Sequence, residues 1–516
     1  MAAPTTIPLE LPPGILKVDS PNAGNGRFVD CDKVRFVKNK AEKWNGWNKL
    51  IDDQLRGKAR GAVAWVNDSG STNAAFGTHL KLYAVTGNDT LTDITPVRSS
   101  VTLTDPFTTT NGSAVVVVAD TAHGADDGDF VTFDGATAVG GITIDGEYQL
   151  TLIDADSYSI THTSAATSGA SGGGSVDADY QINIGTASEV VGLGYGAGTY
   201  GVGTYGTERA SGLQLELRTW SLQGYGTNML ASPSGGGLYF WDEGASDQAL
   251  IVSNAPTYIR AMFVTGERFI FALGTDPSTP MKLKWPDQDD MTDWTPSAAN
   301  TANERTLQYG SKLMAGAALS DGINLVWSDT AVYVFQYTGQ SSIYDSRLAG
   351  TDCGLISKLA FTRVGGAAFW MSGHHFHMYA NGISFVPNQE DIRQGVYENI
   401  DPDGITKTWC VYDHKNNQVR WHFCSAGSSE PDLYVDVNLE DFSWTIGTLD
   451  RTTGTPFRTF DASSLHVSSD GYIYSHDEGK DADGASMRSF IQFGLYALTR
   501  GETNVDISGI IPDCAR

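Results

Sequence analysis

The sequence has no lysine or arginine between Arg98 and Arg209. A stretch of that length without a cation has nothing to neutralise phosphate, which excludes it as a nucleic-acid surface. There is no apolar run approaching the roughly 18 residues of a membrane-spanning helix. The N-terminus, MAAPTTIPLELPPGI, has neither a charged start nor an apolar stretch behind it, so no signal peptide is expected. Cysteine is scarce: Cys31, Cys353, Cys410, Cys424 and Cys514 are odd in number and none forms a C-x-x-C pair. In a chain of this length that argues against a disulfide framework and a zinc site, and for reduced thiols in a protein assembled in a cytoplasm. No nucleophile elbow, phosphate-binding loop, H-E-x-x-H or dinucleotide fingerprint occurs. No cofactor is expected, and no enzyme activity.

What is abundant is glycine, acid and aromatic side chains. The 516 residues include 58 Gly, 12 Trp and 21 Tyr, with a formal net charge of −26. Glycine with aromatics points to short strands and frequent turns. The acidic excess favours solubility and repels nucleic acid without specifying a fold. It is unevenly spread. Residues 101–180 hold eleven Asp and one Glu with no Lys or Arg, while residues 1–60 hold eleven Lys or Arg against seven acids.

These shifts divide the chain. Residues 1–60, opening with IPLELPPGI, read as an extended arm and docking segment. Within it Lys33, Arg35, Lys38, Lys40 and Lys43 are candidates for docking on an acidic partner. Residues 61–100 carry the apolar runs GAVAWV and KLYAVTG of a first β unit. Residues 101–180 read as an inserted small β-barrel or sandwich, with strands around SAVVVVAD, DFVTFDG, GEYQLTLID and SYSITHT. Residues 181–211 form a Gly/Tyr-rich connecting loop, GYGAGTYGVGTYGTERA, in which Tyr195, Tyr200 and Tyr205 are candidate interface anchors. From 212 to 516 the pattern repeats loosely: apolar strand, turn, aromatic strand, as in INLVWSDTAVYVFQYTG and GGAAFWMSGHHFHMYANG. Small sheets rich in aromatics, repeated at 30 to 60 residues, predict an irregular, all-β propeller of about six or seven blades. Only NQEDIRQGVYENI (388–400) offers a short helix.

Few residues suggest site chemistry. His374, His375 and His377 cluster in GHHFHMY, but no Asp, Glu or Cys beside them completes a metal set, so structural histidines are the reading. The acidic turns HGADDGD, DADS and SHDEGKDADG could offer oxygen ligands to calcium, yet match no calcium loop and read as turns. SSDGYIY resembles, in one imperfect copy, the Asp-box turn of propeller glycosidases. An acidic-sugar site also needs clustered arginines, and the arginines here are scattered along the sequence.

The ordered series LPPGI, GRFVDCDKVRFVKNKAEKWNGW, LYAVTGNDTLTDITP, GYGAGTYGVGTYG, RTWSLQGYGTNMLASPSGGGLYFWD, MKLKWPDQDDMTDWTP, VWSDTAVYVFQYTG, VRWHFCSAGSSEPDLYVDVNLEDFSWTIGTLDRT and GIIPD resembles the tail nozzle or hub proteins of short-tailed bacteriophages. It spans nearly the whole chain, and no single segment is diagnostic. The resemblance implies a structural virion protein with a propeller core, assembled as a homohexameric ring below the portal and its adaptor ring. Such a ring extends the DNA channel, retains the packaged genome, lets duplex DNA pass without specific binding, and sits near tail fibres or tailspikes. The family continues past IIPD, so a closing strand or distal gate is expected to be shorter here or supplied by another protein. The alternatives are a tail protein recognising a host glycan through the insert or the tyrosine loop, and a propeller glycan hydrolase.

Overall fold

The apolar runs that lack strand-type alternation become strands covered on both faces. In Ile323–Ser328 the consecutive residues Leu325, Val326 and Trp327 are all fully buried. A strand in the middle of a stacked sheet has neighbours above and below, so every side chain is inside. The computed structural model describes residues 11–17, 24–87, 90–189, 216–340, 342–457 and 464–494. Among them are seven four-stranded antiparallel sheets, arranged as a seven-bladed β-propeller.

The innermost strands, in blade order, are Ala59–Val66, Trp220–Tyr225, Ala261–Val264, Leu313–Ala318, Phe361–Val364, Trp409–Asp413 and Thr453–Pro456. Blades one to six are each built from consecutive strands. Blade seven is not: its outermost strand is Trp47–Lys49, which pairs antiparallel with Ile473–His476. The register is Tyr474 opposite Lys49, Ser475 opposite Asn48 and His476 opposite Trp47. A strand from the first tenth of the sequence thus joins three from its last part in one sheet and closes the ring.

Within the 1–60 arm and docking segment the described residues form four short strands ahead of blade one. Phe28–Asp32 pairs with Phe490–Phe493 beside the outer strand of blade six. Val34–Val37 and Lys40–Lys43 form a hairpin. Its turn residues Lys38 and Asn39 have φ of 50° and 64°, the left-handed pair that a two-residue hairpin turn demands. Trp47, in WNGW, begins the closing strand. Blade one begins at Ala59, inside the same segment.

The insert leaves blade one after Asp93 and spans 97–181. Val97–Thr104 and Phe107–Thr109 act as one strand bent at Asp105, and Ala170–Gly172 and Ser175–Gln181 as another. These bent strands pair with each other and with the two ends of the remaining four, closing a small antiparallel barrel. Here one face only is covered, and alternation returns: Val116 and Val118 are fully buried, Val115 and Val117 exposed. The core includes Phe107, Val131, Leu150, Tyr158, Ile160 and Tyr180, with the two tyrosine hydroxyls 2.7 Å apart and Tyr180 donating to Asp120 at 2.6 Å.

Helix is confined to short pieces. Gln389–Asp391 is a 3-10 turn and Arg393–Tyr397 a single α-helical turn, both inside the 388–400 segment where a helix was expected. The four described cysteines are buried and free, and burial raises all four thiols.

Blades adhere through tryptophan. Trp220 of blade two donates its indole N–H to the Thr78 carbonyl of blade one at 2.7 Å; Trp409 reaches Arg451 and Trp421 reaches Ala360 in the same manner. Trp220 lies so close to blade one that a Cβ on Gly77 would sit 2.2 Å from its ring. Glycine is required there for space. We expect Gly77→Ala to lower unfolding free energy by about 2 kcal/mol through overpacking, read as a lower urea midpoint at unchanged slope. A change within 0.5 kcal/mol would contradict this packing.

Candidate functional site: the axial cavity and its basic mouth

The seven innermost strands enclose an axial cavity of about 780 Å³. Each is the last strand of its sheet, and its free edge bonds the next blade in places, as the Met262 N–H does Ser221 and the Cys410 N–H the Leu359 carbonyl. The lining mixes small residues (Ala62, Ala64, Gly224, Gly316, Ala317, Gly454) with larger ones such as Phe361, Tyr412 and Lys358. This volume matches small-molecule sites, which run roughly 300–1,000 Å³.

One feature of the primary structure becomes visible only in this frame. Arg60, Arg218, Arg260, Lys312, Lys358, Lys407 and Arg451 each lie within three residues of the start of an innermost strand, one per blade. Because these strands all run the same way along the axis, the seven cations belong to one end of the propeller. Five of them converge on two carboxylates. Glu216, just ahead of blade two, receives Arg260 at 2.5 and 2.7 Å, Lys358 at 3.4 Å and Lys312 at 3.5 Å. It therefore ties together the starts of blades three, four and five. Glu430, in a loop of blade six, pairs with Arg60 at 2.5 Å and Lys407 at 3.7 Å. The remaining two turn away from the axis. Arg218 packs against Gly185, and Arg451 lies over the Tyr474 ring and donates to His476 at 3.0 Å.

The Glu216 cluster is electrostatically strained in the cationic direction. Burial pushes the Glu216 carboxyl up, but Lys358, Arg260 and Lys312 outweigh it and hold it at about 2. Burial drives Lys358 down to about 8; Glu216 opposes the fall, and Arg260 and Lys312 add to it. The Nε of Arg260 is buried without a hydrogen-bond partner. Three cations face one carboxylate in a low-dielectric setting.

The residues singled out from sequence lie elsewhere. Tyr195, Tyr200 and Tyr205 fall outside the described residues. Of the five proposed docking cations, Arg35 is buried and paired with Asp477 at 3.1 Å, so it is a structural ion pair and not a docking group. Lys33 is mostly covered and pairs with Asp32 at 2.8 Å. Lys38, Lys40 and Lys43 are exposed on the hairpin. His377 is buried, stacks on Trp370 at 5.4 Å and accepts or donates to Ser372 at 3.1 Å. Burial, with His375 adding, lowers it to about 4. No group of metal-ligating side chains occurs among the described residues. SHDEGKDADG is the loop that receives the closing strand: the Asp481 carbonyl accepts from the Trp47 amide at 3.0 Å. The scattered arginines of the sequence are in part gathered by the fold. The signal was present as a cation at or just ahead of each innermost strand, in KARGAV, LRTW, IRAMF, SKLMAG, SKLAFT, TKTWCV and LDRTTG.

No family model matches the chain, and no curated protein matches it. Among solved structures it is similar to a phage phi92 endosialidase, at 11% identity and TM-score 0.27, over 96% of this chain and 82% of that one. It is also similar to PorZ of Porphyromonas gingivalis, at 10% identity and TM-score 0.29, over 52% of this chain and 31% of that one. A third is YCF48 bound to D1 peptide, at 9% identity and TM-score 0.31, over 52% and 80%. Likeness at this level carries no functional argument.

Removing Glu216 leaves three semi-buried cations without their counter-charge. We expect Glu216→Gln to cost about 3–5 kcal/mol of stability at pH 7. The Glu216 carboxyl is depressed in the fold, so its contribution is present above the ordinary glutamate range and lost as pH falls toward about 2. The gap between wild type and variant in urea titrations should therefore narrow between about pH 4.5 and 2. A gap that is absent at pH 7, or that widens in acid, would contradict the assignment.

Proposed function

We propose that the chain is a structural protein of a bacteriophage tail, forming the nozzle or hub ring below the portal and adaptor. The observation that carries this reading is the ordered series of segments, from LPPGI near the start to GIIPD near the end, which resembles that family. The propeller core the resemblance implies is the architecture the chain adopts. In this reading the DNA channel lies between copies of the chain, because an axial cavity of about 780 Å³ lined by seven strand edges has no room for a duplex. The acidic insert, with no cation from 101 to 180, suits a surface past which DNA slides without adhering. In this reading Lys38, exposed on the hairpin turn, meets an acidic adaptor surface.

The second reading, recognition of a host glycan, draws on the outer face of the insert. Thr108, Val115, Val117, Thr151, Ser159 and Ser171 form an uncharged strip on an otherwise strongly acidic domain.

The mass of the purified chain, alone and with the adaptor ring, separates the two. The nozzle reading predicts a six-fold ring with an open centre that caps the adaptor. A monomer or trimer that ignores the adaptor would overturn it. Capture of glycans by that species, abolished by Val117→Asp, would favour the second reading.

A further inference from the structure

We propose that the basic mouth of the axial cavity is a binding site for a small dianion, a phosphate monoester or dicarboxylate, seated on Lys358, Arg260 and Lys312. Three observations converge there. The first is charge: among the described residues three cations meet one carboxylate, which leaves two positive charges in excess, and a dianion is the charge that completes the cluster. The neighbouring Arg60, Lys407 and Glu430 group adds a further positive charge on the same end. The second is an unfilled donor. Arg260 Nε is buried with no partner, although buried polar atoms ordinarily find one. The third is space. Lys358 lines the cavity, whose volume of about 780 Å³ admits a ligand of metabolite size behind the charged group. The cavity is lined by the edges of the seven innermost strands, whose backbone groups offer donors and acceptors for its polar part where they are not already bonded, as the Met262 N–H is to Ser221.

A purely structural staple would need only balanced charge. This cluster is cation-rich in a chain whose net charge is −26, and its anion partner Glu216 reaches three blades at once. Among the described residues, two carboxylates face the clustered cations, Glu216 and Glu430. Arg363 and His414 lie on the cavity lining farther along the same inner strands, toward their ends. A dicarboxylate and a phosphate monoester carry the same charge and are separated by experiment.

The test uses the full chain with sulfate, inorganic phosphate and succinate as probes, and chloride at matched ionic strength as the control. Binding is read by titration calorimetry and by the shift in melting temperature. We expect saturable one-to-one binding of at least one dianion, absent with chloride. Preference for succinate over sulfate and phosphate assigns the dicarboxylate class, and the reverse assigns the phosphate class. Lys358→Met should weaken binding about tenfold or more. Glu216→Gln, which removes the internal competitor, should tighten it about tenfold and show the larger thermal rescue by dianion. Should Lys358→Met not fold, Lys312→Gln, whose side chain is 32% exposed, serves in its place. Lys38→Gln, on the distant hairpin, should bind as wild type does. The proposal is overturned if no dianion acts beyond chloride, or if wild type, the lysine variant and Glu216→Gln bind alike.

Discussion

Closure of the ring is the constraint on which the rest depends. A blade of four short strands cannot bury both of its faces alone; each must lie between two neighbours. Seven blades satisfy this only if the seventh meets the first. The chain achieves it by lending Trp47–Lys49 to the sheet of Thr453–Pro456, Ser464–Val467 and Ile473–His476. Of the described residues ahead of blade one, Arg35 and Gly46 lie beside that exchange. The Arg35–Asp477 pair and the Gly46–Asp481 approach hold the closing strand in register from both sides.

The second constraint is electrostatic. Parallel innermost strands bring their starts to one end, and a cation stands at each start. Left alone, that ring would repel itself. Glu216 and Glu430 offset part of the charge and bind blades together across the axis, Glu216 linking three blades and Glu430 linking blades six and one. Closure by strand exchange and stapling by carboxylate therefore act on the same object at different places. The insert is attached at the same end: Glu147 of the barrel pairs with Lys81 and Arg56 of blade one.

The fold class and the position of the insert were legible in the sequence because each has a local signature. Buried propeller strands read as unbroken apolar runs such as INLVW, whereas the one-sided barrel reads as alternation around VVVV. The abrupt loss of cations at Arg98 marked the insert to within a few residues of its first strand, Val97–Thr104. What was not legible is everything made by long-range pairing. Trp47–Lys49 lies more than 400 residues from its partner strand and looks like the end of a turn. Arg35 resembled its exposed neighbours, and only the loop carrying Asp477 shows it to be buried. The basic mouth escaped for the same reason: its cations are spaced by forty residues or more for most of the chain, and only the propeller's rotation superposes them.

Hydrogen exchange at the closing strand tests the account most directly. If ring closure holds the propeller together, the amides of residues 47–50 will exchange only through the same global opening as those of the innermost strands, with matching free energies and matching denaturant dependence. If those amides exchange early through local opening, while the seven innermost strands stay protected, closure is dispensable and the central claim is wrong.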